Sequence, residues 1–282
     1  MRYILLLSIT WLFSQPAFAQ TDSTQEENKK ATLTLGALYS NNADYYGQKA
    51  EEKMPYVAAS ATFKLRNGIY FSGAGYKLLN DSGNIVSAGS AGAGIAFNLG
   101  KKLSADLGYS HTFFPANSPF LQASSPDIIS GSLNYEYWMT TGVNVDYALG
   151  RQQDLFVTLS TEKLISLGHL FSQKDLVTLT PAIQVTGGTQ HFYETYITEK
   201  NLRDSLLGIL LPPLGNNPAP ASTTAVTTSF DLLSYNLRLP LAYNRAHYMI
   251  EAAYQLSILG KKAASGVGTS NSFINFSIYY QF

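Results

Sequence analysis

The sequence predicts an all-β fold, a twelve-stranded antiparallel transmembrane β-barrel, and three observations carry that prediction. Apolar residues recur with a period close to two from Ala31 to the C-terminus, the mark of strands whose two faces meet different surroundings. Long connections alternate with tight turns along the chain. Charged residues make up only 13% of the 282 residues, about half the usual share of a soluble domain, while aromatics also reach 13%. A water-soluble sandwich would need a charged outer face, and this chain does not have enough charge to make one.

The elements follow in order. Arg2 supplies a positive start and Tyr3 to Phe13 an apolar stretch too short to span ~30 Å of hydrocarbon as a helix. Ala17-Phe18-Ala19 places small residues where a signal peptidase reads them, so residues 1–19 are expected to be an export signal cut before Gln20. Residues 20–30 are polar and form an expected flexible periplasmic leader, and 31–282 the barrel domain. Removing Arg2 with the signal leaves 18 basic against 19 acidic residues. With no net positive charge and no basic tract, the chain lacks the footprint of a nucleic-acid partner.

Twelve segments carry the alternation: 31–41, 55–66, 69–79, 87–99, 103–114, 127–138, 142–150, 154–163, 176–190, 228–243, 247–258 and 272–282. Twelve fits best within a range of ten to fourteen. In the fifth, Leu103, Ala105, Leu107, Tyr109, His111 and Phe113 alternate with Ser104, Asp106, Gly108, Ser110 and Thr112. The links 42–54, 80–86, 115–126, 191–227 and 259–271 are long, and 151–153 in the same series is short. The intervening links 67–68, 100–102, 139–141 and 244–246 are tight. Asn67-Gly68 is a strong hairpin signal because both residues tolerate positive φ. The exception, 164–175, carries Leu164, Leu167, Leu170 and Phe171 at a spacing that fits a short helix at the rim. Tyr39, Tyr76, Tyr109, Tyr147, Tyr243, Tyr248 and Phe282 fall near strand ends on the apolar faces, where amphipathic rings settle at a membrane interface.

These features resemble the single-chain outer-membrane β-barrel proteins of Gram-negative bacteria. The sharpest piece is the last strand, Ser272 to Phe282. There Asn275, Tyr280 and Phe282 match the family's terminal assembly signal, while Ser277 stands where glycine is usual. The resemblance implies residence among outer-membrane lipids and recognition of that strand by the barrel-assembly machinery. Alternating links then place 42–54, 115–126, 191–227 and 259–271 outside the cell and Asn67-Gly68 in the periplasm. Protease added to intact cells is expected to cut within 191–227 first; cleavage confined to the Asn67 turn would reverse the orientation.

Barrels of this family include enzymes, so catalytic sets matter. Four His and no Cys give no metal cluster with recognisable spacing. A His/Ser hydrolase on a lipid-facing strand would carry the two residues two apart, but Phe113, Phe171, Tyr193 and Met249 follow the four histidines at that distance. Gly89, Gly92 and Gly94 lie in a strand with no helix after them, which favours lumen space over a phosphate loop. The reading is of a non-enzymatic protein without metal or cofactor.

The lumen wall remains. With apolar faces outward, the inward bases are Lys64, Arg66, Lys77 and Arg238, and the inward acids Asp106, Glu136, Asp146, Glu162 and Glu251. An acidic arc facing bases across a pore of ~12 Å backbone radius would select small polar solutes. The expected function is porin-like passage of such solutes. The alternative is a closed barrel with a structural, adhesive or receptor role through its loops, the longest being 191–227 with its Leu206–Leu214 apolar knot and prolines.

Overall fold

The computed structural model describes residues 30–49, 53–81, 83, 85–115, 126–150, 153–189, 230–261, 263 and 269–282. The export signal with Ala17, Ala19 and Gln20, most of the leader, and link 191–227 lie outside the described residues.

Eight strands follow one another as antiparallel neighbours: β1 (Thr32–Ser40), β2 (Tyr56–Lys64), β3 (Ile69–Leu78), β4 (Ala88–Asn98), β5 (Leu103–Phe113), β6 (Asp127–Glu136), β7 (Thr140–Leu149) and β8 (Asp154–Glu162). Three short pieces come next, β9 (Ile165–Gly168), β10 (Asp175–Leu179) and β11 (Ala182–Gly188), then three long strands, β12 (Asp231–Arg245), β13 (Tyr248–Leu259) and β14 (Ser270–Gln281). β11 pairs with β8 and β10 with β9, while β12 pairs with both β10 and β11. The pieces therefore form two staves, β8–β9 and β10–β11, and the ring has twelve. It closes where β1 meets β14 in a register running from Thr34↔Gln281 to Ser40↔Asn275, and Phe282 N donates to Leu33 O at 2.9 Å.

Link 164–175 is not a helix. Ile165 and Leu167 alternate with Ser166 and Gly168, a period of two that makes β9. The break between β10 and β11 falls at Thr180-Pro181, where proline has no N–H to donate; Pro240 of β12 stands beside the gap and accepts from Thr180 N at 3.0 Å. The carboxylate of Asp175 closes the β9–β10 turn by accepting the backbone N–H groups of Leu170, Phe171 and Ser172 at 2.8–2.9 Å.

The outer surface is apolar at mid-height, with Leu35, Ile95, Leu107, Leu133, Leu159 and Ile183 all exposed. Aromatic residues ring both ends. Tyr39, Tyr109 and Phe113 lie toward the long-link end, and Phe63, Phe71, Tyr135, Trp138, Tyr280 and Phe282 toward the tight-turn end. Closure pairs the twelve staves around the ring, as hydrocarbon demands, and the short β9 at the rim pairs on one side alone. No helix among the described residues is long and apolar enough to cross a membrane.

Candidate functional site: a strap across the mouth of the barrel

The link expected to project outward, 42–54, folds inward over its described part and, with the residues flanking it between β1 and β2, crosses the mouth as a strap. Its turn has a local cause. Tyr45 N donates to Gln48 O at 2.8 Å and Gln48 N to Tyr45 O at 2.9 Å, so Tyr46 and Gly47 form a two-residue hairpin turn. Both turn residues have left-handed φ, +48° at Tyr46 and +88° at Gly47, the pattern of a type I′ turn. Gly47 is doubly required, because a Cβ there would stand 2.7–2.8 Å from the side chains of Ser234 and Asn236.

From β1 the strap reaches the opposite side of the ring. Tyr46 OH donates to Asp146 Oδ2 at 2.9 Å on β7, six staves from β1 in a ring of twelve. The Tyr46 ring stacks on Phe156 of β8 with centroids 4.1 Å apart, and Tyr45 meets the same ring edge-on. Ser234 Oγ donates to Tyr46 O at 2.7 Å, Asn271 Nδ2 to Gly47 O at 2.9 Å, and Gln255 Nε2 to Asp44 Oδ2 at 2.7 Å. The strap is thus tied to β7, β12, β13 and β14. A second anchor lies on the β2–β4 side, where Ala43 and Met54 pack against Tyr76, Leu78 and Ala88. A register shift at Thr186/Gly187 turns both Leu233 and Ser234 inward to meet the strap. Burial among aromatic rings and carboxylates raises the Tyr45 and Tyr46 hydroxyls well above the usual tyrosine range, so both stay neutral and Tyr46 keeps its proton to donate to Asp146.

Below the strap the inner wall is polar. Lys64, Asp106, Glu162, Arg238 and Glu251 are all half-buried on inward positions. Arg238 Nη2 donates to Glu251 Oε1 at 3.0 Å, with each side chain about a fifth exposed (21% and 18%). They are not opposed residues, since Arg238 faces Gln255 and Glu251 faces Ala242; the guanidinium reaches down the wall to make the pair. Tyr70 OH donates to Asp106 Oδ1 at 2.9 Å, and its ring lies over Gly94 and Gly108, where a Cβ would collide with it. Gly94 therefore makes lumen space. Gly92 shares its inward face, whereas Gly89 stands on the outward one.

Four sequence expectations change here. Lys77 is opposed to Val57 on the outward face and its Nζ donates to the Asp81 carbonyl, while Tyr76 points inward and is 1% exposed. The apolar-outward rule inverted this pair because Tyr76 packs under the strap. Arg66 is exposed in the β2–β3 turn rather than on the wall, since β2 ends at Lys64. Glu136 has inward parity but ends β6 and is exposed at the rim. Asp146 is buried on β7, facing the strap rather than an open arc. Asp154 on β8 is a further buried inward acid, held by Thr189 Oγ1 at 2.6 Å; its place as the first residue of an alternating strand was the signal for it. Among the described strand residues the inward wall carries Lys64 and Arg238 against a larger set of acids.

Of the described histidines, His111 pairs through Nδ1 with Asp127 at 2.7 Å on the outward face, with Tyr109 OH on the same carboxylate oxygen. His169 contacts the Asp175 carbonyl, and His247 the Gln281 carbonyl. Asn275 faces inward on β14, and Tyr280 and Phe282 face outward with rings 4.6 Å apart.

A closed ring of twelve antiparallel staves with an apolar belt, two aromatic girdles and a polar interior is the architecture of a transmembrane β-barrel. No family model and no curated protein matches the chain. Among solved structures it is similar to the KdgM porin, with 8% identity, TM-score 0.46 and coverage of 89% of this chain and 99% of that one. It is also similar to LpxR from Salmonella typhimurium, with 10% identity, TM-score 0.47 and coverage of 88% and 99%. A third is an outer membrane channel from Pseudomonas putida F1, with 10% identity, TM-score 0.46 and coverage of 92% and 100%. At these identities and scores the resemblances assign no activity to this chain.

Proposed function

We propose that this protein is a passive channel for small polar solutes across the outer membrane, with the strap as its constriction. The observation that carries the reading is the contrast along the axis: a tightly tied strap at one end, and beneath it a wall of half-buried charged and hydroxylated side chains that face one another rather than packing apolar. Charged groups left part-exposed inside a barrel are hydrated and act on what passes. The acidic excess on the wall, with Arg238 already paired to Glu251, favours cations over anions.

The proposal includes export by cleavage before Gln20, assembly through Asn275, Tyr280 and Phe282, and loops on the strap side facing outward. The crossing of the whole mouth by the strap favours a second reading, a closed barrel that works through its loops. Conductance of the refolded protein in a planar bilayer separates the two. The channel reading expects small, ohmic steps with a reversal potential on the cation side. Asp106→Asn together with Glu162→Gln should move that potential toward anions while the barrel stays folded. A stably folded barrel with no conductance sinks the channel.

A further inference from the structure

The strap's tie to β13 contains a carboxylate in an unusual position. Asp44 Oδ1 accepts from Gly47 N at 2.7 Å, inside the strap's own turn, and Oδ2 accepts from Gln255 Nε2 at 2.7 Å. Gln255 is itself buried on the wall and also donates to Ser257 Oγ at 3.1 Å. Asp44 therefore joins the turn that shapes the strap to the strand that holds it, half-buried between the strap and the wall.

We propose that the strap is an acid-closed gate, in which proton uptake by Asp44 tightens its docking across the mouth and proton release loosens it. The inference rests on the channel reading and adds its regulation. The groups around Asp44 set the sign. Arg238 on β12 and Tyr56 on β2 are close enough to act on it by charge. Asp146 on β7 and Asp154 on β8 lie around the neighbouring Tyr45 and Tyr46, Glu251 on β13 occupies Arg238, and Tyr279 on β14 faces that pair. Lys49 lies on the strap itself. Enclosure is the dominant influence and pushes the Asp44 carboxyl up to about 6, against the ordinary 3.8; the Gly47 N–H, Gln255 and Arg238 only partly oppose it.

A strap lifted into water returns Asp44 to its ordinary value, so the docked state binds the proton more tightly. A group whose value is raised in the docked state contributes fully to docking below the undocked value and loses that contribution as pH rises through the docked one. Docking is therefore stronger at acid pH. Lowering pH from about 7.5 to about 5 should raise the docking constant about tenfold.

The chain has no cysteine, so Ala43→Cys, on the strap where it packs against Tyr76 and Leu78 and is 4% exposed, provides a unique thiol. Its labelling by a membrane-impermeant maleimide is measured in the refolded protein. Dividing by the rate of Asn67→Cys, in an exposed turn, removes the intrinsic pH dependence of thiol chemistry. The ratio should fall about tenfold between pH ~7.5 and ~5, by the linkage above. Adding Asp44→Asn should leave it low and flat, and Gln255→Leu, which removes a donor to the ionised form, should move the midpoint to higher pH. A flat ratio with Asp44 in place, or a pH dependence that survives Asp44→Asn, overturns the gate. Labelling reads the strap without any current, so a silent bilayer would remove the channel reading and leave this result separately decided.

Discussion

Replacing Ala43 to Lys53 with a four-residue Gly-Ser turn should raise single-channel conductance at least about twofold, because current scales with open cross-section and the strap spans the full diameter of the mouth. The barrel itself should survive. The strap contributes no strand to the ring, and β1 and β2 keep their ladder from Thr32↔Lys64 to Ser40↔Tyr56. A point substitution should give part of the same effect. Gly47→Val would force a branched side chain into a φ of +88° and into Ser234 and Asn236, two costs that only undocking relieves. Tyr46→Phe is milder. It removes the hydroxyl that crosses to Asp146 but keeps the ring on Phe156, and losing one such bond at a buried carboxylate costs ~1–3 kcal/mol. Conductance should rank deletion above Gly47→Val above Tyr46→Phe above the parent. Equal conductance across the series would show that the narrowest point lies elsewhere, for example at the Tyr70–Asp106 level.

The ranking depends on an element the sequence pattern hid. Period two reports a strand because its two faces see lipid and lumen, and that contrast is strong enough to place all twelve staves, down to Leu107 outward and Ser110 inward. It carries no information about a connection that turns back inside. Tyr45-Tyr46-Gly47 belongs to a link that the alternation of long and short connections sends outside, yet its neighbours Asn42 and Asp44 are the ties that fix it within the mouth. The same cause explains the inverted pair in β3. Tyr76 is apolar and points inward because Met54 covers it, so a rule that sends every apolar face to lipid fails wherever the lumen holds packed chain. Arg238 and Glu251 were both legible as inward residues from the alternation of their strands. Their diagonal contact was not, since it depends on the reach of a long side chain rather than on register. Gln255 takes an inward position on β13; its contact with Asp44 makes it part of the strap's seat, and a bulky charge there should disturb docking.

The second large effect is on the lipid side of the wall. Leu107→Arg should cost ~2–4 kcal/mol of barrel stability, the penalty for placing a guanidinium near the bilayer midplane. Leu107 lies at the centre of β5, opposed to Ile95 on β4 and Gly131 on β6, and is 54% exposed on the belt side. Neither partner is polar, so the charge must snorkel along the wall or draw water to it. Ser110→Arg, three residues along the same strand, places the same group inward above a wall with an excess of acids, where water and carboxylates receive it. It should fold with little loss. Refolding into lipid vesicles under a urea gradient, read by the mobility shift of folded barrels on unheated gels, measures both. If Leu107→Arg refolds as readily as Ser110→Arg, the belt through Leu107 does not face hydrocarbon, and the inward and outward faces assigned along β5 would have to be exchanged.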